Sequence, residues 1–223
     1  MSAFSLLAVT LATTLLGSAT PGVASAAEAV IILPKPDTRG GIPLMQALNE
    51  RHSQREFSVE SLPLPVLANL LWAAAGVNRT QSGKRTAPSA KGWAEIDVYL
   101  AIADGLYIYD DRAHTLRLVV AKDLRALTGR QDFVGLAPVN LVYVADYGRM
   151  DVESSVTDKQ FYAAADTGFI AQNVYLYCAS QGLATVVRGS VDREVLARAM
   201  QLKPSQHIQL AQTVGYPPKQ QRP

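Results

Sequence analysis

The sequence predicts an α+β fold in one domain. Three observations carry this reading. Strand and helix patterns intermix without a regular βαβ alternation. Strand-like runs follow one another between positions 96 and 145. A long segment from Asp158 to Gln181 repeats its apolar residues at helical spacing, near Phe161, Ala165, Phe169, Tyr175 or Leu176, and Ala179. A chain of 223 residues that is 48% hydrophobic and 18% charged suits a single domain with a substantial core. No internal repeat and no interdomain linker divides it.

The N-terminal 26 residues stand apart. Phe4 to Leu16 is almost wholly apolar, and Ala24-Ser25-Ala26 resembles a small-x-small signal-peptidase site. The apolar run is short for a membrane span. It carries no Lys or Arg, so a retained anchor or a misplaced start codon stay open beside an export signal. An export signal places the mature chain outside the cytoplasm from about Ala27, with no stable membrane insertion after its removal; otherwise the chain is cytoplasmic. Residues 27–44 read as a leader with Pro34, Pro36, Gly40 and Gly41. Residues 45–217 form the domain, and 218–223 a tail.

Within the domain, Ile42 to Asn49 predicts a short helix. Leu62 to Gly76 predicts a clearer one, opened by Pro63 and Pro65 and stopped by Gly76. Asn78 to Gly92 reads as a polar loop. Ile96, Val98, Leu100 and Ile102 alternate with Asp97, Tyr99 and Ala101, the pattern of a half-buried strand. Leu106–Tyr109 and Thr115–Val120 flank Asp110 to His114 as a hairpin. Lys122 to Thr128 predicts a short helix, and Val139 to Ala145 a strand after Pro138. The long helix, apolar on much of its circumference, is expected to be central and buried, with Gly182 as its stop. Ala184–Arg188 predicts a strand, Asp192–Leu202 a helix and His207–Val214 the last strand.

Several function classes lose support. A net charge of +2 with no basic stripe gives no case for nucleic acid. Cys178 is the sole cysteine, so no intrachain disulfide is possible, and its apolar helical setting reads as a core thiol. His52, His114 and His207 lack metal-ligand spacing. No GxGxxG follows a strand, and neither a Walker loop nor GxSxG is present.

The chemistry instead concentrates in Arg51-His52-Ser53-Gln54-Arg55-Glu56-Phe57. In an extended segment alternate side chains share a side, so Arg51, Ser53 and Arg55 can converge. Guanidinium forks match phosphate oxygens and a hydroxyl adds a donor. A solvated charged face is the alternative on these residues alone.

Three further segments accompany it in order: Thr86-Ala87-Pro88-Ser89-Ala90 with Trp93 and Glu95-Ile96-Asp97; Gln172-Asn173 leading to Gln181-Gly182-Leu183-Ala184; and Val186-Val187-Arg188-Gly189 with Gly215-Tyr216-Pro217. Together they resemble the FMN-dependent nitroreductase family over roughly Met45 to Pro217. The run Leu71-Trp72-Ala73-Ala74-Ala75-Gly76-Val77-Asn78-Arg79 and the Pro-Ser-Ala loop look most like its SagB-like branch. The resemblance implies a nitroreductase-like fold, a central mostly antiparallel or mixed sheet flanked by helices, in an intertwined homodimer with FMN at the interface. It implies that Arg51, His52, Ser53 and Arg55 hold the phosphate and ribityl chain. It lays Pro88, Ser89 and Ala90 along the flavin, usually from the partner subunit. It sets Val187, Arg188 and Gly189 by the isoalloxazine ring with a backbone N–H toward N5. Gln131 maps to the pyrimidine edge, and Lys219, with Arg222 more loosely, to the phosphate.

The chain also departs from the family. Arg188 stands where many relatives have a small residue, and it either lies beside the flavin or turns away into the structure. Lys91-Gly92 replaces the more usual asparagine, and Lys91 faces either solvent or a substrate mouth. Trp72 reads as core, whereas for Trp93, which follows a loop, a role near the flavin stays open. The implied activity is oxidoreduction of a small molecule with NAD(P)H or another donor, the flavin carrying the chemistry without a protein triad or metal. Export conflicts with NAD(P)H as donor. A SagB-like flavin oxidase acting on a peptide-derived ring and a non-catalytic flavin-fold binding protein are the alternatives.

Overall fold

The computed structural model describes residues 29–219. The export-signal segment 1–26 and Arg222 lie outside the described residues. The sheet order is β1-β6-β5-β4-β7-β9-β8, with every pair antiparallel. Its strands are β1 (Val30–Ile32), β4 (Ile96–Ile102), β5 (Gly105–Asp110), β6 (Thr115–Val120), β7 (Val139–Asp146), β8 (Ala184–Arg188) and β9 (Gln206–Gly215). A separate ribbon pairs β2 (Val77–Arg79) with β3 (Lys84–Arg85). The helices are α1 (Leu44–Glu50), α2 (Leu64–Ala75), α3 (Val156–Ser180) and α4 (Arg193–Ala199).

Local chemistry explains the boundaries. Pro63 caps α2 and Pro65 sits in its first turn, where a missing N–H is harmless. Gly76 ends it; a Cβ there would meet Trp72 at 2.4 Å. Ser155 Oγ accepts from the Asp158 N–H at 3.0 Å to start α3, and Asp192 accepts from the Val195 N–H at 3.1 Å to start α4.

The sheet buries both faces. Leu70, Leu71 and Ala74 of α2 and Ile170, Val174 and Cys178 of α3 pack on Val98, Leu100, Leu141 and Tyr143. Leu196 and Met200 lie in a second cluster with Val142, Val144 and Ala211 on the other face. Each such side chain contributes about 1.5–3 kcal/mol by leaving water. Cys178 is fully buried, and burial pushes its thiol up.

Four expectations are corrected. The leader contains β1, because Val30-Ile31-Ile32 pairs with Arg117, Leu116 and Thr115 of β6. The polar loop after α2 contains the β2–β3 ribbon. The expected helix 122–128 shrinks to one tight turn, Arg125–Thr128, held from its start by Asp123, which accepts from the Arg125 N–H. The long helix is not buried all round. Ala163, Thr167, Ile170, Val174 and Cys178 form its inner stripe, while Phe161 and Phe169 are 68% and 47% exposed.

Candidate functional site

The basic segment leaves α1 at Glu50 and runs extended along the outer edge of β8. The Gln54 N–H donates to Thr185 O at 2.9 Å, and the Ser58 N–H donates to Tyr216 O at 2.8 Å. Only half of an edge strand's backbone groups face its sheet partner. Thr185 and Val187 therefore look away from β9, and this segment meets them. Tyr175, projecting from α3, ties the arrangement together. Its hydroxyl accepts from the Val187 N–H at 2.9 Å and lies 2.8 Å from Ser53 Oγ. The Arg51 guanidinium sits 5.4 Å from the centre of the Tyr175 ring, a cation–π contact. The His52 ring donates from Nδ1 to Glu50 O at 2.7 Å. Arg55 is exposed. His52, Gln54, Tyr175, Thr185 and Pro217 line a cavity of about 160 Å³, which brings the C-terminal turn beside the basic segment. Lys219 is exposed just beyond that turn.

Arg188 and Gln131 form the neighbouring wall. The Arg188 side chain turns into the interior, and the residue is 5% exposed. Nη1 donates to Thr128 O at 2.7 Å and Nη2 to Asn140 Oδ1 at 2.8 Å. Asn140 Oδ1 also accepts from Thr213 Oγ1 at 2.6 Å. No carboxylate pairs with this guanidinium among the described residues, and burial lowers it to about 10. Arg188 Nε and Gln131 Oε1 are both buried without a hydrogen-bond partner among the described residues. Phe133 lies beneath, 6.0 Å from the Arg188 guanidinium and 5.3 Å from Phe57. Gly189 is exposed, and a Cβ there would meet only Leu210 Cδ2 at 3.8 Å.

The Pro88-Ser89-Ala90 loop sits elsewhere on the same protomer, near the N-terminal half of α3. Ser89 Oγ accepts from the Ala94 N–H at 2.9 Å and donates to Glu95 at 3.1 Å, while the Ala90 N–H donates to Asp166 at 2.8 Å. Nine residues separate Asp166 from Tyr175, a rise of roughly 13.5 Å along the helix. One protomer thus gathers Arg51, Ser53 and Val187 at Tyr175, and Gln131 with Arg188 beside them, but holds the loop apart. Lys91 is an exposed pair with Asp151 at 3.2 Å and lies over Trp93. Trp93 also donates to Asp151 at 3.1 Å. Trp72 is half-buried.

The sequence profile of the Nitroreductase family matches residues 48–216. The chain belongs to the nitroreductase family. A curated relative, MJ1384 of Methanocaldococcus jannaschii, described as a nitroreductase, is 32% identical over 69% of this chain and 82% of its own. A crystal structure from Ralstonia eutropha JMP134, also described as a nitroreductase, is 52% identical, with a TM-score of 0.81 over 84% of this chain and 89% of that one. A Desulfovibrio desulfuricans structure in complex with FMN shares the fold at 20% identity and TM-score 0.58, over 80% of this chain and 88% of that one. The protein is an oxidoreductase of that family with the nitroreductase-like α+β fold.

The residues here are chemically compatible with FMN, the group the resemblance implies. Gly189 has neither a positive φ nor a crowded neighbour to explain its missing side chain, so the open space is what a ligand pressed against it needs. Gln131 Oε1 is a buried acceptor without a partner among the described residues, of the kind an imide N–H can satisfy. Arg51, Arg55, Lys219 and Ser53 supply the donors a phosphate takes. Tyr175, the hub of the arrangement, is legible from sequence only as one apolar position of the long helix, because its spacing on α3 is that of any inward-facing residue.

Proposed function

We propose that the segment at Tyr175 holds FMN and that the protein passes a hydride between a reduced donor and an organic acceptor in two half-reactions. The observation that carries this reading is the convergence of Arg51, Ser53 and Val187 on one tyrosine hydroxyl and ring. FMN, when bound, supplies hydride transfer at its N5.

In this reading Arg51, His52, Ser53 and Arg55 hold the phosphate and ribityl chain, and Lys219 completes the phosphate site. Arg51 is already oriented by Tyr175, so less freedom is lost when it takes a ligand. The Val187 N–H is engaged by Tyr175, and Arg188 pairs with Ala211 of β9. By strand alternation the N–H that faces the cofactor is therefore that of Gly189. Gln131 accepts from the pyrimidine edge. Arg188 stands behind that edge as a buried positive charge and favours negative charge developing there. Pro88, Ser89 and Ala90 reach the cofactor from a second copy of the chain, since their own protomer keeps them away. The exposed Phe161 and Phe169 on α3, with Leu44, Met45 and Leu48 on α1, give that copy an apolar face to cover.

The donor is NAD(P)H if the chain stays in the cytoplasm, and another reductant if residues 1–26 direct export. The Thr86–Ala90 loop resembles that of the SagB-like branch, and on that alternative a flavin oxidase acting on a peptide-derived ring would pass electrons to oxygen instead. Anaerobic addition of NADH or NADPH to the FMN-loaded protein separates the two. Bleaching of the flavin bands supports the reductase. An absence of bleaching with either nucleotide removes nicotinamide as the donor.

A further inference from the structure

Beneath the Pro88–Ala90 loop lie two carboxyl groups that the preceding reading does not use. Glu95 is wholly buried and Asp166 is 3% exposed. Glu95 Oε2 accepts from Ser89 Oγ, and Asp166 Oδ2 accepts from the Ala90 N–H, so each holds one residue of the loop. Glu95 Oε1 is buried with no donor among the described residues, and the neighbouring Thr167 Oγ1 is equally orphaned. A buried carboxylate oxygen without a donor is costly. The other charges nearby are committed. Arg149 binds the Ala94 and Glu95 backbone carbonyls and pairs with Asp97 at 2.6 Å. Arg85 pairs with Asp111. Lys91 is turned outward to Asp151. Among the described residues, no Lys, Arg or His forms a salt bridge with either carboxyl group.

We propose that Glu95 and Asp166 hold one proton between them, and that this shared proton fixes the Ser89–Ala90 loop from beneath. A proton on Glu95 supplies the missing donor and removes the repulsion between two like charges. Burial, and then the Asp166 carboxylate, raise the Glu95 carboxyl above its ordinary range. The loop is the segment assigned above to the partner's flavin, so its effect on FMN rests on that reading, whereas its effect on the fold does not.

The sign follows from the raised affinity for the proton. The folded state holds the proton more tightly than the unfolded chain, so this stabilisation is complete below the unfolded value and is lost as pH rises through the folded one. Each tenfold difference in proton affinity of Glu95 between the loop-held and loop-released states appears as a tenfold change in FMN affinity across the transition. The test compares the full chain with Glu95→Gln, whose amide can donate permanently to Asp166, and with Glu95→Ala. FMN affinity is followed by flavin fluorescence from mildly acidic to alkaline pH, and melting of the protein without added FMN over the same range. The expected result is a wild type that loses affinity and melts earlier as pH rises, a Gln variant flat in both, and an Ala variant weakened at every pH. A protonated-carboxyl infrared band present in the wild type and lost in Glu95→Gln supports the same assignment. A Gln variant as pH-dependent as the wild type overturns the proposal. If the chain takes up no FMN at any pH, the cofactor reading fails, and the melting profiles alone decide whether the proton is shared.

Discussion

Replacing Arg188 by methionine separates what the fold needs from what the cofactor needs. The guanidinium is buried without a counter-charge among the described residues, and burial lowers it to about 10. That lowering corresponds to a cost of roughly 3 kcal/mol for keeping the charge in the interior. Against it stand two charge-assisted hydrogen bonds, to Thr128 O and Asn140 Oδ1, each contributing about 1.5–3 kcal/mol. Methionine keeps an unbranched apolar stem and removes both effects. Asn140 Oδ1 retains Thr213 Oγ1 as a donor, so Thr128 O is the acceptor that loses its partner. The terms nearly cancel, and Arg188→Met should change unfolding free energy by no more than about 2 kcal/mol in either direction. Denaturant unfolding with an unchanged slope measures this. FMN affinity and the flavin midpoint potential should both fall, because the charge behind the pyrimidine edge is gone. A loss of stability beyond about 4 kcal/mol with FMN affinity and potential unchanged refutes the reasoning and makes Arg188 a purely structural residue.

Two substitutions probe the rest of the wall. Tyr175→Phe removes the hydroxyl shared by Ser53 and the Val187 N–H, and should cost about 1–2 kcal/mol of stability and weaken FMN binding; a variant identical to wild type in melting and flavin titration denies Tyr175 its role as hub. Gly189→Ala should leave the melting temperature of the FMN-free protein unchanged, since the added methyl meets only Leu210 at 3.8 Å, yet impair FMN binding; equal affinity in the two proteins means that no ligand presses on that backbone.

Much of this molecule is legible in its sequence, for reasons that can be named. Pro63, Pro65 and Gly76 bracket α2 because they act locally, and the observed helix falls within the bracket. Strict alternation marks β4, and the β-rich run after Pro138 marks β7, because a strand's two faces bury different partners. Short elements escape. Val30–Ile32 becomes a strand only because β6 offers it an edge, and the ribbon of β2 and β3 rests on so few pairs that its polar residues read as loop. Phe161 and Phe169 follow helical spacing, which shows that they share a face without telling which way it points. At the site, Arg51 and Ser53 declare themselves as phosphate-type donors, whereas Tyr175 and the Glu95–Asp166 pair acquire their meaning from partners distant in sequence. The inward turn of Arg188 depends on the carbonyl of Thr128 and the amide of Asn140, and no local pattern encodes either.

The central claim is that the segment from Arg51 to Arg55 grips FMN. Its most direct test is the flavin content of the protein purified from its native compartment, set beside Arg51→Ala prepared in the same way. The account predicts a yellow wild-type protein carrying FMN and a variant that folds and melts like it but retains far less flavin. A colourless wild type that takes up no FMN, or a variant with undiminished flavin, contradicts it.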